Sequence, residues 1–314
     1  MSAPVHSPKP KALRPGSRIA PIAPASPASE DRLAAGKREL ERLGFSVAPQ
    51  RTMRAEGYFA GSSAERRGEF VAALNDRSID SLIATRGGYG SAYLLEDAFP
   101  DPLPSCKPIM GFSDFSTLQI YLWQRYRWPT FYGPMIAAGL DAGADVPNGY
   151  DSQSFRNALM NSTSGWQTTL SGETLHPGSA EGNLLGGAMT LVEATLGTPW
   201  ELETADSILL LEDRAMKPYQ IDRVLLHLKH GGKFKTVRGI ILGDFPECDP
   251  PVPGGPSVRE VAQRILGPLK IPIVFGSPFG HTARPMLTLP LGAPARIIAE
   301  GSGTLNILEP TVTP

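Results

Sequence analysis

Cysteine is almost absent. Cys106 and Cys248 are the two in 314 residues, and neither stands in a C-x-x-C pair or another metal-ligand spacing. A disulfide framework and a zinc knuckle are thereby excluded, and a reducing, cytoplasmic compartment is expected. An excess of one charge is missing as well: 30 basic and 31 acidic residues leave a formal net charge of −1, with no footprint for nucleic acid or an anionic membrane. Long apolar runs are also lacking. The N-terminal "MSAPVHSPKPKALRPGSR" has no signal-peptide core, and the apolar "NLLGGAMTLVEATLG" carries Asn183 and Glu193 and is too short to span a bilayer. A small or peptidic partner is expected, with no nucleic acid and no membrane.

What is present is an alternation of strand and helix patterns. After a tail expected to be disordered over residues 1–15, "RIAPIAP" reads as a buried strand and "SEDRLAAGKRELERLG" as an amphipathic helix. Ser29 suits its N-cap, Glu30 and Asp31 its positive dipole end, and Gly44 a left-handed C-terminal position. "FSVAP", a helix opening with the capping box Ser62-Ser63-Ala64-Glu65, "IDSLIAT" and "KPIMGF" continue the series. The pattern predicts an α/β fold whose N-terminal domain, residues 16–145, is a parallel sheet flanked by helices, with ligands bound beyond the strand carboxyl ends. Residues 146–178, rich in Gly, Asn, Ser and Thr, read as a connection. Residues 179–314 read as a smaller mixed α/β domain, its last apolar runs "IPIVFG", "MLTLPL", "ARIIAE" and "TLNIL" spaced like a partly barrel-like sheet.

The stretch "KPIMGFSDFSTLQIYLWQRY", residues 107–126, sets a choice for Ser113. A buried strand ending at Gly111 and running through Phe112-Ser113-Asp114 into a helix is the context of a nucleophile elbow, in which the Asp114 N–H faces a developing oxyanion. Phe115 replaces the second glycine of G-x-S-x-G, and serine is also a common helix N-cap. On these residues alone both readings stand.

A serine nucleophile needs a base, and there are five histidines. His6 lies in the tail and His176 in a polar loop before a proline. His227 and His230 sit near a helix C-terminus, where they suit the dipole. His281, after a strand and the loop Gly276-Ser277-Pro278-Phe279-Gly280, can be presented at a sheet edge, or can be a solvated loop residue. A carboxylate should orient the base. The apolar strand in "SILLLED" ends in Glu212 and Asp213, of which Asp213 reads better as flanking the next helix. The loop "TRGGYGSAYLL" offers the Gly87 and Gly88 N–H groups as oxyanion donors, and it matches no nucleotide-binding motif.

In order along nearly the whole chain, "LRPGSRIAPIAPASP", "TRGGYGSAYLL", "KPIMGFSDFSTLQIYLW", "PTFYGPM", "GNLLGGAMTLVEATLGTPW", "ILLLEDRAMKPYQIDRVLLHL", "GIILGDF" and "PFGHTARPMLTLPLGAPARI" resemble the LD-carboxypeptidase family of serine peptidases, which includes the microcin self-immunity peptidases. The resemblance implies a Ser–Glu–His triad at Ser113, Glu212 and His281, and an oxyanion hole from Gly87 or Gly88 with Asp114. It implies no metal or organic cofactor, a site between the two domains, and a homodimer. Two departures stand out: Phe112 where members often have Tyr, and Met216 where many have a second acidic residue. The implied activity is hydrolysis of the L,D amide between diaminopimelate and terminal D-Ala in a murein tetrapeptide. The alternatives are a microcin-type peptidyl-nucleotide hydrolase and a peptide-binding protein without catalysis. A cysteine amidotransferase is excluded, because Cys106 precedes the strand and serine occupies the elbow.

Overall fold

The computed structural model describes residues 8–50, 53–96, 99 and 106–314. β1 (Arg18–Ile22) is buried from its second residue on, as a central parallel strand must be. α1 (Glu30–Arg42) turns Leu33, Gly36 and Leu40 inward at helical spacing, and Gly44 beyond it takes φ +88°. Ser29 holds the N-cap position without a side-chain cap bond. β2 (Ser46–Val47) pairs with β1. α2 (Ser63–Asn75) opens with the complete capping box between Ser62 and Glu65. β3 (Ser81–Ala84), β4 (Ile109–Gly111), α3 (Ser116–Tyr126) and β5 (Thr130–Tyr132) follow. The resulting strands β5-β4-β3-β1-β2 are all parallel, as helical crossovers require.

The stretch expected as a connection is itself structured. It holds α4 (Ser152–Met160), β6 (Trp166–Thr169) and β7 (Glu173–His176), the last two being the opposite outer strands of the second sheet. Short polar edge strands carry little periodic apolar signal, which is why they read as loop. The tail expected over residues 1–15 falls partly outside the described residues. From residue 8 it follows the body of the protein, the Ala12 N–H donating to the Thr313 carbonyl at 2.7 Å and the Leu13 N–H to that of Leu159 at 2.8 Å.

β8 (Gly178–Ala188) leads into α5 (Met189–Ala194), then β9 (Ser207–Glu212), α6 (Pro218–His230), β10 (Gly239–Leu242), α7 (Val258–Leu266) and β11 (Ile273–Phe275). β8, β9, β10 and β11 are parallel neighbours at the centre of the sheet. Their side chains alternate between two cores: Ile208 and Leu210 join the one shared with the first sheet, whereas Leu209 and Leu211 join the one beneath α5, α6 and α7. β12 (Leu289–Leu291), β13 (Pro294–Ala299) and β14 (Thr304–Ile307) complete the chain.

The order of this sheet is β6-β14-β13-β8-β9-β10-β11-β7, open at both ends, so the partly barrel-like expectation is corrected to an open mixed sheet. One of the apolar runs expected to help close it goes elsewhere. β12, from "MLTLPL", crosses back and pairs antiparallel with β5, Leu289 opposite Tyr132. Among the described residues no helix is long and apolar enough to cross a membrane.

Candidate active site

β4 delivers the chain to Phe112 in an extended conformation, and Ser113 then takes φ +64°. A non-glycine residue in that region carries strain of roughly 1–3 kcal/mol and persists where the surroundings over-determine it. Residues Ser113–Phe115 form one 3-10 turn, and α3 starts only at Ser116. Ser113 therefore occupies no N-cap position. Its conformation is that of a sharp strand-to-helix elbow, which lifts the side chain out of the turn.

The Gly87-Gly88 loop lies directly against this elbow. A Cβ added to Gly87 would stand 2.8 Å from Ser113 Cβ and 3.0 Å from its Oγ, so only glycine permits the approach. Gly88 has φ +109°. Among the described residues the N–H groups of Gly87, Gly88 and Asp114 donate to no other backbone or side-chain group. The loop is held from outside itself. The Ser26 N–H donates to the Gly87 carbonyl at 3.2 Å, the Tyr89 N–H to Ser26 Oγ at 3.2 Å, and the Ser91 N–H to Asp114 Oδ2 at 2.8 Å. Buried Arg66 donates to the Gly90 carbonyl at 2.8 Å. Burial pushes the Asp114 carboxyl up from its ordinary value, against the hydrogen bonds from the Ser91 side.

β9 ends in Glu212, which is 0% exposed. Glu212 Oε2 accepts from the His281 backbone N–H at 2.9 Å and lies 2.8 Å from His281 Nδ1, while Oε1 accepts the Tyr132 hydroxyl at 2.5 Å. Each carboxylate oxygen is thus partnered, as a buried charge requires. Gly280, at φ +65°, makes room for it, since a Cβ there would lie 2.4 Å from Glu212 Cδ. Burial works against the charged imidazolium of His281, yet the Glu212 charge and hydrogen bond prevail and raise its pKa above the ordinary value. The ring also packs edge-on against Phe112, centroids 5.1 Å apart at 78°.

The loop carrying His281 is fastened by Arg284. This residue pairs with Asp244 at the end of β10 and donates to the Ser171 carbonyl at 2.9 Å and to that of Gly276. With Nδ1 taken by Glu212, the His281 Nε2 side is left for the cleft. No hydrogen bond joins Ser113 to the ring among the described residues, although both line the same wall. Such contacts commonly tighten only when substrate is bound.

The structure brings Ser113, Gly87, Gly88, Asp114, Glu212 and His281 together and leaves the other candidates out. His176 and His227 lie elsewhere, the latter with Nδ1 2.8 Å from Glu193 Oε1. Asp213 caps a helix, but it is α5 and not the following α6: its Oδ2 accepts from the Thr190 N–H at 2.9 Å and from the hydroxyl at 2.8 Å. His6 lies outside the described residues. Both cysteines are free. Tyr132 was not singled out from the sequence, because an aromatic residue in the apolar strand "TFY" reads as core; its neighbourhood to the "GFSD" strand was the available signal.

The site opens into a cleft of about 350 Å³, within the range for small-ligand pockets. Phe112 lines it and Met216 does not; Met216 packs instead against the core beneath α6 and α7. The lining holds three arginines, Arg32, Arg86 and Arg214, against one carboxylate, Glu247. The wall is cationic and suits an anionic ligand. Among the described residues no group of three or more His, Cys, Asp or Glu side chains is placed to hold a metal.

The family model for the LD-carboxypeptidase N-terminal domain matches residues 19–133, and that for the LD-carboxypeptidase C-terminal domain matches residues 181–297. A Bacillus subtilis relative named "Probable murein peptide carboxypeptidase" is 33% identical over 291 residues, 91% of this chain and 90% of its own length. The solved muramoyltetrapeptide carboxypeptidase of Oxalobacter formigenes superposes with a TM-score of 0.80 at 27% identity, covering 93% of this chain and 98% of that one. A microcin C7 self immunity protein, solved in complex with aspartyl sulfamoyl adenosine, superposes with a TM-score of 0.86 at 24% identity over 97% of this chain and 99% of its own, a likeness of fold.

Proposed function

Because this chain belongs to the LD-carboxypeptidase family, we propose that it is a serine carboxypeptidase that cleaves the L,D amide between diaminopimelate and the terminal D-Ala of a murein tetrapeptide. Ser113 Oγ attacks the carbonyl carbon, His281 Nε2 takes the hydroxyl proton, and Glu212 fixes the tautomer and stabilises the imidazolium. The unengaged N–H groups of Gly87 or Gly88 and of Asp114 receive the oxyanion. His281 then protonates the departing D-Ala amine. Water hydrolyses the acyl-enzyme by the same relay in reverse. In this division of labour residues 16–145 supply the nucleophile and oxyanion donors and residues 179–314 the base and its carboxylate, while residues 146–178 join them and add α4 and the outer strands β6 and β7. No metal or organic cofactor enters the scheme.

The observation that carries the reading is the 2.8 Å contact of Glu212 Oε2 with His281 Nδ1, on a cleft shared with a strained Ser113. The names of the relatives favour murein peptide over a peptidyl-nucleotide conjugate as substrate. A cytoplasmic location and a homodimer complete the reading, supported by the two unpaired cysteines for the first and by family resemblance for the second. Purified protein should release D-Ala from the murein tetrapeptide, and Ser113→Ala should lower the rate by about three or more orders of magnitude. Retained activity in that variant would sink the mechanism. Cleavage of an aminoacyl-nucleotide conjugate without D-Ala release would favour the microcin-type alternative, and binding of tetrapeptide with cleavage of neither would favour the peptide-binding one.

A further inference from the structure

Arg86 immediately precedes the oxyanion loop, and its side chain lines the cleft with Ser113 and His281. The other two cleft arginines have carboxylate partners: Arg214 pairs with Glu247, and Arg32 Nε lies 2.5 Å from Asp141 Oδ2. Arg86 has none among the described residues. Its one recorded side-chain bond runs from Nη1 to the Pro27 carbonyl at 3.2 Å. A guanidinium carries five N–H donors in a planar fork that matches a carboxylate, so most of its donors are left for a ligand in the cleft that it lines.

Position gives that capacity a target. Arg86 Cα is one peptide unit, about 3.8 Å, from Gly87 Cα. Gly87 is the residue whose added Cβ would touch Ser113 Cβ at 2.8 Å. In a substrate losing its C-terminal residue, the free carboxylate carbon stands only about 3–4 Å from the carbonyl carbon under attack. A cation that reads it must therefore bring its head group beside the nucleophile, and Arg86, next in sequence to Gly87, is the cleft arginine without an acidic partner among the described residues.

We infer that Arg86 binds the free α-carboxylate of the departing C-terminal residue, and so restricts hydrolysis to chain ends. The inference rests on the carboxypeptidase reading of the same site. Glu212, His281 and the oxyanion donors can process any suitably placed amide; Arg86 rewards only one followed by a free carboxylate. A charge-assisted bidentate contact of this kind is worth a factor of about 10–100 in kcat/KM.

The test uses the full chain as wild type, Arg86→Met and Arg86→Lys. Two tetrapeptides are compared, one ending in free D-Ala and one in D-Ala carboxamide, with release of D-Ala or D-alaninamide followed. Wild type should favour the free acid by about 10–100-fold in kcat/KM. Arg86→Met should lose that factor on the free acid alone, so that its two values converge, and Arg86→Lys should fall between. A wild-type preference for the free acid that survives in Arg86→Met would overturn the inference, as would an equal loss on both substrates, which marks a structural role. Release from neither substrate by wild type would overturn the carboxypeptidase reading itself and this inference with it.

Discussion

Tyr132 Oη and Glu212 Oε1 lie 2.5 Å apart with both side chains sealed from solvent, so the carboxylate that orients His281 is itself held by a residue of the other sheet. The Ser113 N–H points to the same hydroxyl at a long 3.4 Å. Burial and the neighbouring Glu212 charge push the Tyr132 phenol well above its ordinary pKa, so it remains a donor. Tyr132→Phe should strand one Glu212 oxygen at a cost of about 1–3 kcal/mol of stability. Urea unfolding measures this, and kcat should fall alongside because His281 loses its fixed partner. Wild-type values of both would show the hydroxyl to be idle.

The acid limb of the pH profile should report the Glu212–His281 pair. A general base works as the neutral imidazole, so kcat/KM should fall as pH drops through the raised pKa of His281. In Glu212→Gln the attraction is gone and burial remains, so the limb should move to lower pH while kcat drops by roughly 10³–10⁴-fold. A limb that stays in place would detach it from this histidine. The same raised pKa stabilises the fold: the contribution is complete below the pKa of the unfolded imidazole and is lost as pH rises through the folded value.

Gly87→Ala should damage chemistry more than folding. Its methyl would meet Ser113 Cβ at 2.8 Å, and the displaced loop would no longer offer its N–H to the oxyanion. Removing one such donor costs about 10²–10³ in kcat. A circular dichroism melt near that of wild type, together with that loss, is the expected pair of results; unchanged kcat would remove Gly87 from the site.

Asp114 separates a backbone role from a side-chain role. Its carboxylate accepts the Ser91 N–H at 2.8 Å and so ties the far end of the glycine loop to the elbow. Asparagine retains an acceptor oxygen and alanine does not. Asp114→Asn should therefore keep most of kcat, while Asp114→Ala should lose about tenfold or more with little change in KM, as expected for an interaction made chiefly in the transition state. Equal values for the two variants would show that the tie does not position the loop.

Legibility in the sequence followed how local each signal was. β1, α1, α2 and β9 could be read because burial and amphipathic spacing are written within each segment. Glu212 stood out as a carboxylate ending a strand that is otherwise apolar, and scarcity isolated His281. Ser113 could not be resolved locally, since a cap and an elbow use the same residue type and differ in a φ angle that only the folded chain reveals. The bond of Tyr132 and the sheet that β12 joins were hidden for a related reason. Tyr132 is an aromatic whose partner is far away in sequence, and β12 is a three-residue apolar strand whose sheet is chosen by tertiary packing.

The return of β12 governs how Ser113 and Glu212 are held relative to each other. The chain leaves the first sheet after β5, builds most of the second, passes through His281, and is then sewn back along the edge of β5 beside Tyr132. The sheet that carries Ser113 and the sheet that carries Glu212 are consequently tied twice at β5, by Tyr132 with Glu212 and by β12, whose Leu289 lies opposite Tyr132. A hinge that swung them apart would have to unpick a strand. Folding therefore sets Ser113 and His281 on one cleft, and only the short closing of their hydrogen bond is left to substrate binding.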